Sequence, residues 1–135
     1  MGEKKMRYGF VFLIVLAVGM SMVAAPADAG SIAGAWRGDG LVNLKSGNSE
    51  RIRCRLQYEE STGRTLVVHV TCSHTNGIFK TSGRIVKLSD THYSGRLYSE
   101  QHDVAGQVSI RVNGSRQVIK ASSSKGSAIV NVTRQ

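Results

Sequence analysis

Four histidines, two cysteines and a short run of arginines are the side chains in this 135-residue sequence whose chemistry needs weighing first. His69, His74, His92 and His102, with Asp90, Glu100 and Asp103, are the right types for a metal site or an acid–base pair. Their spacing supports neither. His102 and Asp103 are adjacent, and adjacent residues of a strand point to opposite faces. His92 and His102 flank one predicted hairpin, but two histidines without a third patterned ligand do not make a metal site. The serines include no G-x-S-x-G elbow, and Gly34, Gly38 and Gly40 precede no helix whose N-terminus would receive a phosphate. The sequence therefore reads as non-catalytic, with no metal and no cofactor.

Cys54 and Cys72 are the only cysteines, and they close the stretch CRLQYEESTGRTLVVHVTC. Two cysteines this far apart lack the paired spacing of a zinc site, so a disulfide is expected. Ile52, Cys54, Leu56 and Tyr58 alternate with Arg51, Arg53, Arg55 and Gln57, and Leu66, Val68, Val70 and Cys72 share one face of the next run. A turn around Gly63 makes paired residue numbers add up to about 126, which sets Cys54 opposite Cys72 and Tyr58 opposite Val68. Arg51, Arg53 and Arg55 then share the outer face, where Val67, His69, Thr71 and Ser73 of the second strand bring no acid.

The elements that must carry these residues are strands. Six further alternating runs follow the same grammar: 36–44, 78–88, 92–99, 104–113, 115–121 and 127–133. Asn113-Gly114 predicts a type I′ hairpin turn. No window shows a helical period. Eight short strands predict an all-β antiparallel meander closed into an up-and-down barrel, because closure removes exposed edges. A two-sheet sandwich is the alternative, since strand count alone does not fix closure. Aromatic residues are sparse, only Trp36, Tyr58, Phe79, Tyr93 and Tyr98 beyond residue 30, so a packed interior is expected ahead of a ligand cavity.

Lys4, Lys5 and Arg7 precede an apolar run over 8–23, followed by Ala27-Asp28-Ala29. This is the order of a signal peptide, predicted to be cleaved before Gly30. Residues 1–29 are thus a leader and 30–135 one all-β domain, exported to the periplasm or beyond, where a disulfide can form. Without the leader the chain keeps 15 Lys and Arg against 7 Asp and Glu. Such an excess marks an electropositive surface, and Arg51, Arg53, Arg55 and Arg96 are the residues expected to meet an anionic partner. Arg37, Arg84, Lys87 and Arg116 extend that surface if strand order permits. The polyanions open to an exported protein are anionic polysaccharide, lipopolysaccharide and a membrane surface. Nucleic acid ranks last, because no aromatics are interleaved with the arginines for base stacking.

Gly34-Ala35-Trp36 resembles the G-x-W of the calycin superfamily, which includes lipocalins, avidins and Inh-type bacterial metalloprotease inhibitors. That resemblance implies an eight-stranded barrel with Trp36 closing one end and Arg134 packed across it. The inhibitors are also exported, of similar size, and carry one disulfide early in the barrel. The resemblance implies a protease inhibitor or small-ligand carrier, although only Gly30 to Ala33 precede the barrel where the inhibitors have a longer segment. The chain also resembles small exported alphaproteobacterial proteins, a likeness that implies location and no activity.

Overall fold

Each alternating run of the sequence becomes a strand, because one inward and one outward side chain per two residues is what a half-buried strand presents. In the computed structural model, which describes residues 31–135, these are β1 (Gly34–Leu44), β2 (Ser49–Glu60), β3 (Thr65–His74), β4 (Gly77–Ser89), β5 (His92–Ser99), β6 (Val104–Asn113), β7 (Arg116–Ser123) and β8 (Gly126–Arg134). The expected leader, residues 1–29, and its cleavage site lie outside the described residues. Every strand pairs antiparallel with the next, and β8 pairs with β1, so the sheet is a closed barrel rather than a sandwich.

The β2–β3 register is the one expected, with Cys54 opposite Cys72, Leu56 opposite Val70 and Tyr58 opposite Val68. Cys54 and Cys72 form a disulfide, with their Cα atoms 4.1 Å apart. That closeness fits a non-hydrogen-bonded cross-strand pair, where side chains approach most nearly.

Register also fixes the barrel's shape. A cross-strand row that leaves β2 at Glu59 runs through Val67, Arg84, Arg96, Gln107 and Ser122. It continues through Ser127 and Asn43 and meets β2 again at Ser49, ten residues earlier in the strand. With eight strands, that stagger tilts each strand by roughly 40° to the barrel axis.

Closure needs a side-chain-free stretch where β1 crosses β8. A β-carbon on Gly38 would overlap the Asn131 carbonyl oxygen, and one on Gly40 the Ile129 carbonyl oxygen. The β6–β7 turn differs from expectation. Asn113 ends β6 opposite Arg116, and Gly114 has φ 63° while Asn113 stays at negative φ. The two-residue loop is therefore Gly114-Ser115, the glycine-first pattern of a type II′ turn, which matches strand twist as well as type I′ does.

Trp36, Leu56, Tyr58, Val68, Val108, Ile110, Val130 and Val132 form the buried core, as their alternation implies. Ile85 and Tyr93 complete it from β4 and β5, and Ile32 enters from before β1.

Candidate functional site

The barrel's two ends and its outer wall offer different chemistry. At the end where β1 begins, Trp36 is fully buried and its Nε1 donates to the Ile32 carbonyl at 2.9 Å. The Arg134 guanidinium lies 4.5 Å from the Trp36 ring centroid. It also donates to the Ala33 carbonyl at 2.9 Å and the Ser31 carbonyl at 2.8 Å. Residues 31–33 are thereby pinned across this end as a plug. Below Trp36, Tyr58 meets its ring edge-on at 6.5 Å and donates its hydroxyl to Gln117 Oε1 at 2.8 Å. Burial above all, with Tyr93 nearby, pushes the Tyr58 phenol well above its usual range. Burial likewise raises Tyr93. This end is closed structure.

The opposite end is looser. Beneath it lies a cavity of about 80 Å³ whose walls present apolar atoms, from Ile52, Val70, Phe79, Leu97, Ala121 and the Cys54–Cys72 bridge among others. Glu50 and His74 pair at 3.2 Å at this rim, beside Phe79. Small-molecule sites run to about 300–1,000 Å³, and an apolar cavity of about 150 Å³ takes benzene. At its observed size the cavity admits at most a small apolar group, close to the packed interior expected.

On the outer wall the predicted arginines separate. Arg53 is neutralised by Asp39 of β1, at 3.1 Å between Nε and Oδ1. Arg51 stands opposite Leu41, and Arg55 stands opposite Arg37. Arg96 is not part of this group: it lies on β5 opposite Arg84, three strands from β2. Lys87 pairs with Asp90 instead of extending the outer face. What the register assembles is a row that passes from Arg116 through Thr133 to Arg37, Arg55, Thr71 and Lys80. All four cations are exposed and no acid stands among them. Lys80 was missed by sequence reasoning, because nothing local links residue 80 to residue 55.

The histidines do not converge. His74 is at the open rim, His69 faces outward between Gln57 and Ser82, and His92 contacts the Ser109 hydroxyl at 3.1 Å. His102 lies in the β5–β6 turn, at the far end of β5 from His92. Nearby, Tyr98 donates to Asp103 Oδ1 at 2.9 Å, and that bond foremost raises the phenol above its usual range. Among the described residues, no three His, Cys, Asp or Glu side chains are grouped to hold a metal ion.

No family model matches this chain, and no curated protein is found to be similar. Solved structures do share its fold. A redesigned β-barrel is 12% identical with a TM-score of 0.64, covering 79% of this chain and 95% of its own. The redesigned barrel mFAP1, bound to DFHBI, is 13% identical with a TM-score of 0.64, covering 79% and 98%. A de novo designed fluorescence-activating β-barrel is 15% identical with a TM-score of 0.61, covering 80% and 97%. At these identities the likeness is one of fold.

Proposed function

We propose that this protein is an exported, non-catalytic binding module whose outer basic row engages a flexible anionic polymer of the envelope or extracellular space. The observation that carries this reading is the row of Arg116, Arg37, Arg55 and Lys80, separated only by threonines and free of acids. Like charges directly opposed across a sheet cost about 0.2–1 kcal/mol. Arg37 and Arg55 are opposed in that way, and a polyanion laid along the row would offset the repulsion.

Shape favours a polymer over a bilayer or a lipopolysaccharide layer. Five strand spacings of about 4.8 Å put Arg116 and Lys80 about 24 Å apart along a row that winds around about a third of the barrel. A chain can follow that curve, whereas a flat surface touches only its middle. No aromatic stands in the row, which leaves nucleic acid without a stacking platform.

Kinship with the calycins draws support from Trp36 and Arg134 clasped at the closed end. The second reading, a small-ligand carrier, rests on the internal cavity and on the fold shared with a barrel bound to DFHBI. The cavity's 80 Å³ limits it to a very small apolar guest. An inhibitor that inserts the segment before β1 is disfavoured, because Ser31 and Ala33 are held by Arg134.

Long-chain polyphosphate tests the main reading. With about 0.7 counterions released per contact, as for a flexible single strand, four contacts lose about 50-fold in affinity between 50 and 200 mM salt, and two lose about 7-fold. The Arg37→Thr/Arg55→Thr variant should move from the first slope to the second while remaining folded. Equal salt slopes for the two proteins would refute the proposal.

A further inference from the structure

On the far side of the barrel, two adjacent rows of outward side chains cross β5, β6, β7 and β8. One consists of Arg96, Gln107, Ser122 and Ser127. The other consists of Ser94, Ser109, Lys120 and Ile129. Seven of the eight side chains are polar, none is acidic, and four are serines too short to fill the space between their longer neighbours.

Of the four inward positions between these residues, Gly95, Ala121 and Ala128 carry little or no side chain into the barrel, and only Val108 is a large core residue, so the sheet is thinly backed here. Over them the outer wall forms an open saddle of about 630 Å³. Strand spacing and rise place the Arg96 and Lys120 backbones about 12 Å apart, in different rows and two strands from each other. Hydroxyls and the Gln107 amide lie between them.

We propose that this saddle is a binding subsite for an acidic oligosaccharide, one whose sugar units carry carboxylates. The hydroxyl and amide groups suit a polyhydroxylated ligand, since each can both donate and accept hydrogen bonds. The two cations suit carboxylates repeated along it. A single phosphate is too small to use the four serines and the Gln107 amide as well as the cations. The subsite names a partner class but shares no residue with the basic row, which meets β7 and β8 only at their other ends, at Arg116 and Thr133.

Tetragalacturonate is the probe, titrated by calorimetry and by amide chemical shifts, with polyphosphate and a neutral tetrasaccharide in parallel. The test variant is Gln107→Leu/Ser122→Leu, which fills the saddle without changing charge; these residues face each other, so the substitution creates an apolar cross-strand pair. The expected result is shifts centred on Ser94, Ser109 and Ser122, and a loss of at least about tenfold in tetragalacturonate affinity in the variant. Polyphosphate affinity should be unchanged. Arg96→Gln should weaken tetragalacturonate and leave the neutral sugar unaffected. Tetragalacturonate binding that survives saddle filling but is lost in Arg37→Thr/Arg55→Thr would overturn the subsite and leave the basic row standing. Saddle-dependent binding with a salt-insensitive polyphosphate interaction would do the reverse. Absence of tetragalacturonate binding to the unmodified protein would also overturn the subsite.

Discussion

Reducing the Cys54–Cys72 bridge should remove a large share of the fold's stability. The bridge joins residues 18 apart in sequence. In the chain-entropy account, a loop of that length restricts the unfolded chain by about 11 cal/mol/K, or about 3 kcal/mol at 25 °C. A domain this size has about 5–15 kcal/mol in total. Replacing both cysteines by alanine should cost about 1 kcal/mol more, because the lost sulfur volume would merge with the apolar cavity they already line. Urea unfolding followed through Trp36, the single tryptophan, is the natural assay. At an m-value of about 1.5 kcal/mol per M, the midpoint should fall by about 2 M on reduction, and m itself should rise because the unlinked chain exposes more surface. Thiol titration must confirm that both sulfurs are free. If the reduced protein then unfolds at the same urea concentration, the loop-entropy reasoning fails.

Tyr58→Phe should cost about 1–3 kcal/mol at neutral pH, because it strips the buried Gln117 of its phenol partner. The Tyr58 phenol is raised in the folded protein, so above pH 10 the unfolded chain loses a proton the native state keeps, and stability falls by about 1.4 kcal/mol per pH unit for that group. The phenylalanine variant should lose one proton's worth of that alkaline slope in pH-dependent urea titrations. Arg134→Met keeps the aliphatic packing but loses the Trp36 contact and two carbonyl bonds, and should lower stability by about 1–3 kcal/mol, with faster hydrogen exchange at Ile32 and Ala33. Gly38→Ala drives a β-carbon into the Asn131 carbonyl, so thermal unfolding should show a loss of about 1–3 kcal/mol or more. Asp39→Asn releases Arg53 and should add about one ion contact to the polyphosphate salt slope.

Much of the barrel was legible in the sequence, because alternation of period two settles which side chains face inward. The β2–β3 hairpin shows this best: alternation sets Ile52, Cys54, Leu56 and Tyr58 on the same side as Leu66, Val68, Val70 and Cys72, a turn at Gly63 then opposes the two cysteines, and that is the register found. The interior contribution of β4 and β5 was harder to see. Gly83 and Gly95 interrupt those strands' inward faces, so Ile85 and Tyr93 lack the unbroken apolar series that marks β2. The Asn113-Gly114 signal located its turn one residue early, because a glycine-first loop satisfies the strand twist equally well.

The outer face was the least legible part, and the reason is geometric. Sliding β1 against β2 by two residues would leave every inward side chain inward. It would nonetheless set Asp39 opposite Arg55 and Arg37 opposite Gln57, replacing the observed pairs and dissolving the row. Alternation cannot distinguish these arrangements. Gly38 and Gly40 hold β1 against β8, because only residues without side chains fit at the Asn131 and Ile129 carbonyls, and with that seam held a slide at β1–β2 would change the ten-residue stagger of the closed barrel. Those glycines fix the position of β1 along the barrel. Asp39 between them is thereby committed to Arg53, and Arg37 is left facing Arg55. The charge pattern of the outer wall is thus set by a packing constraint on the inner one.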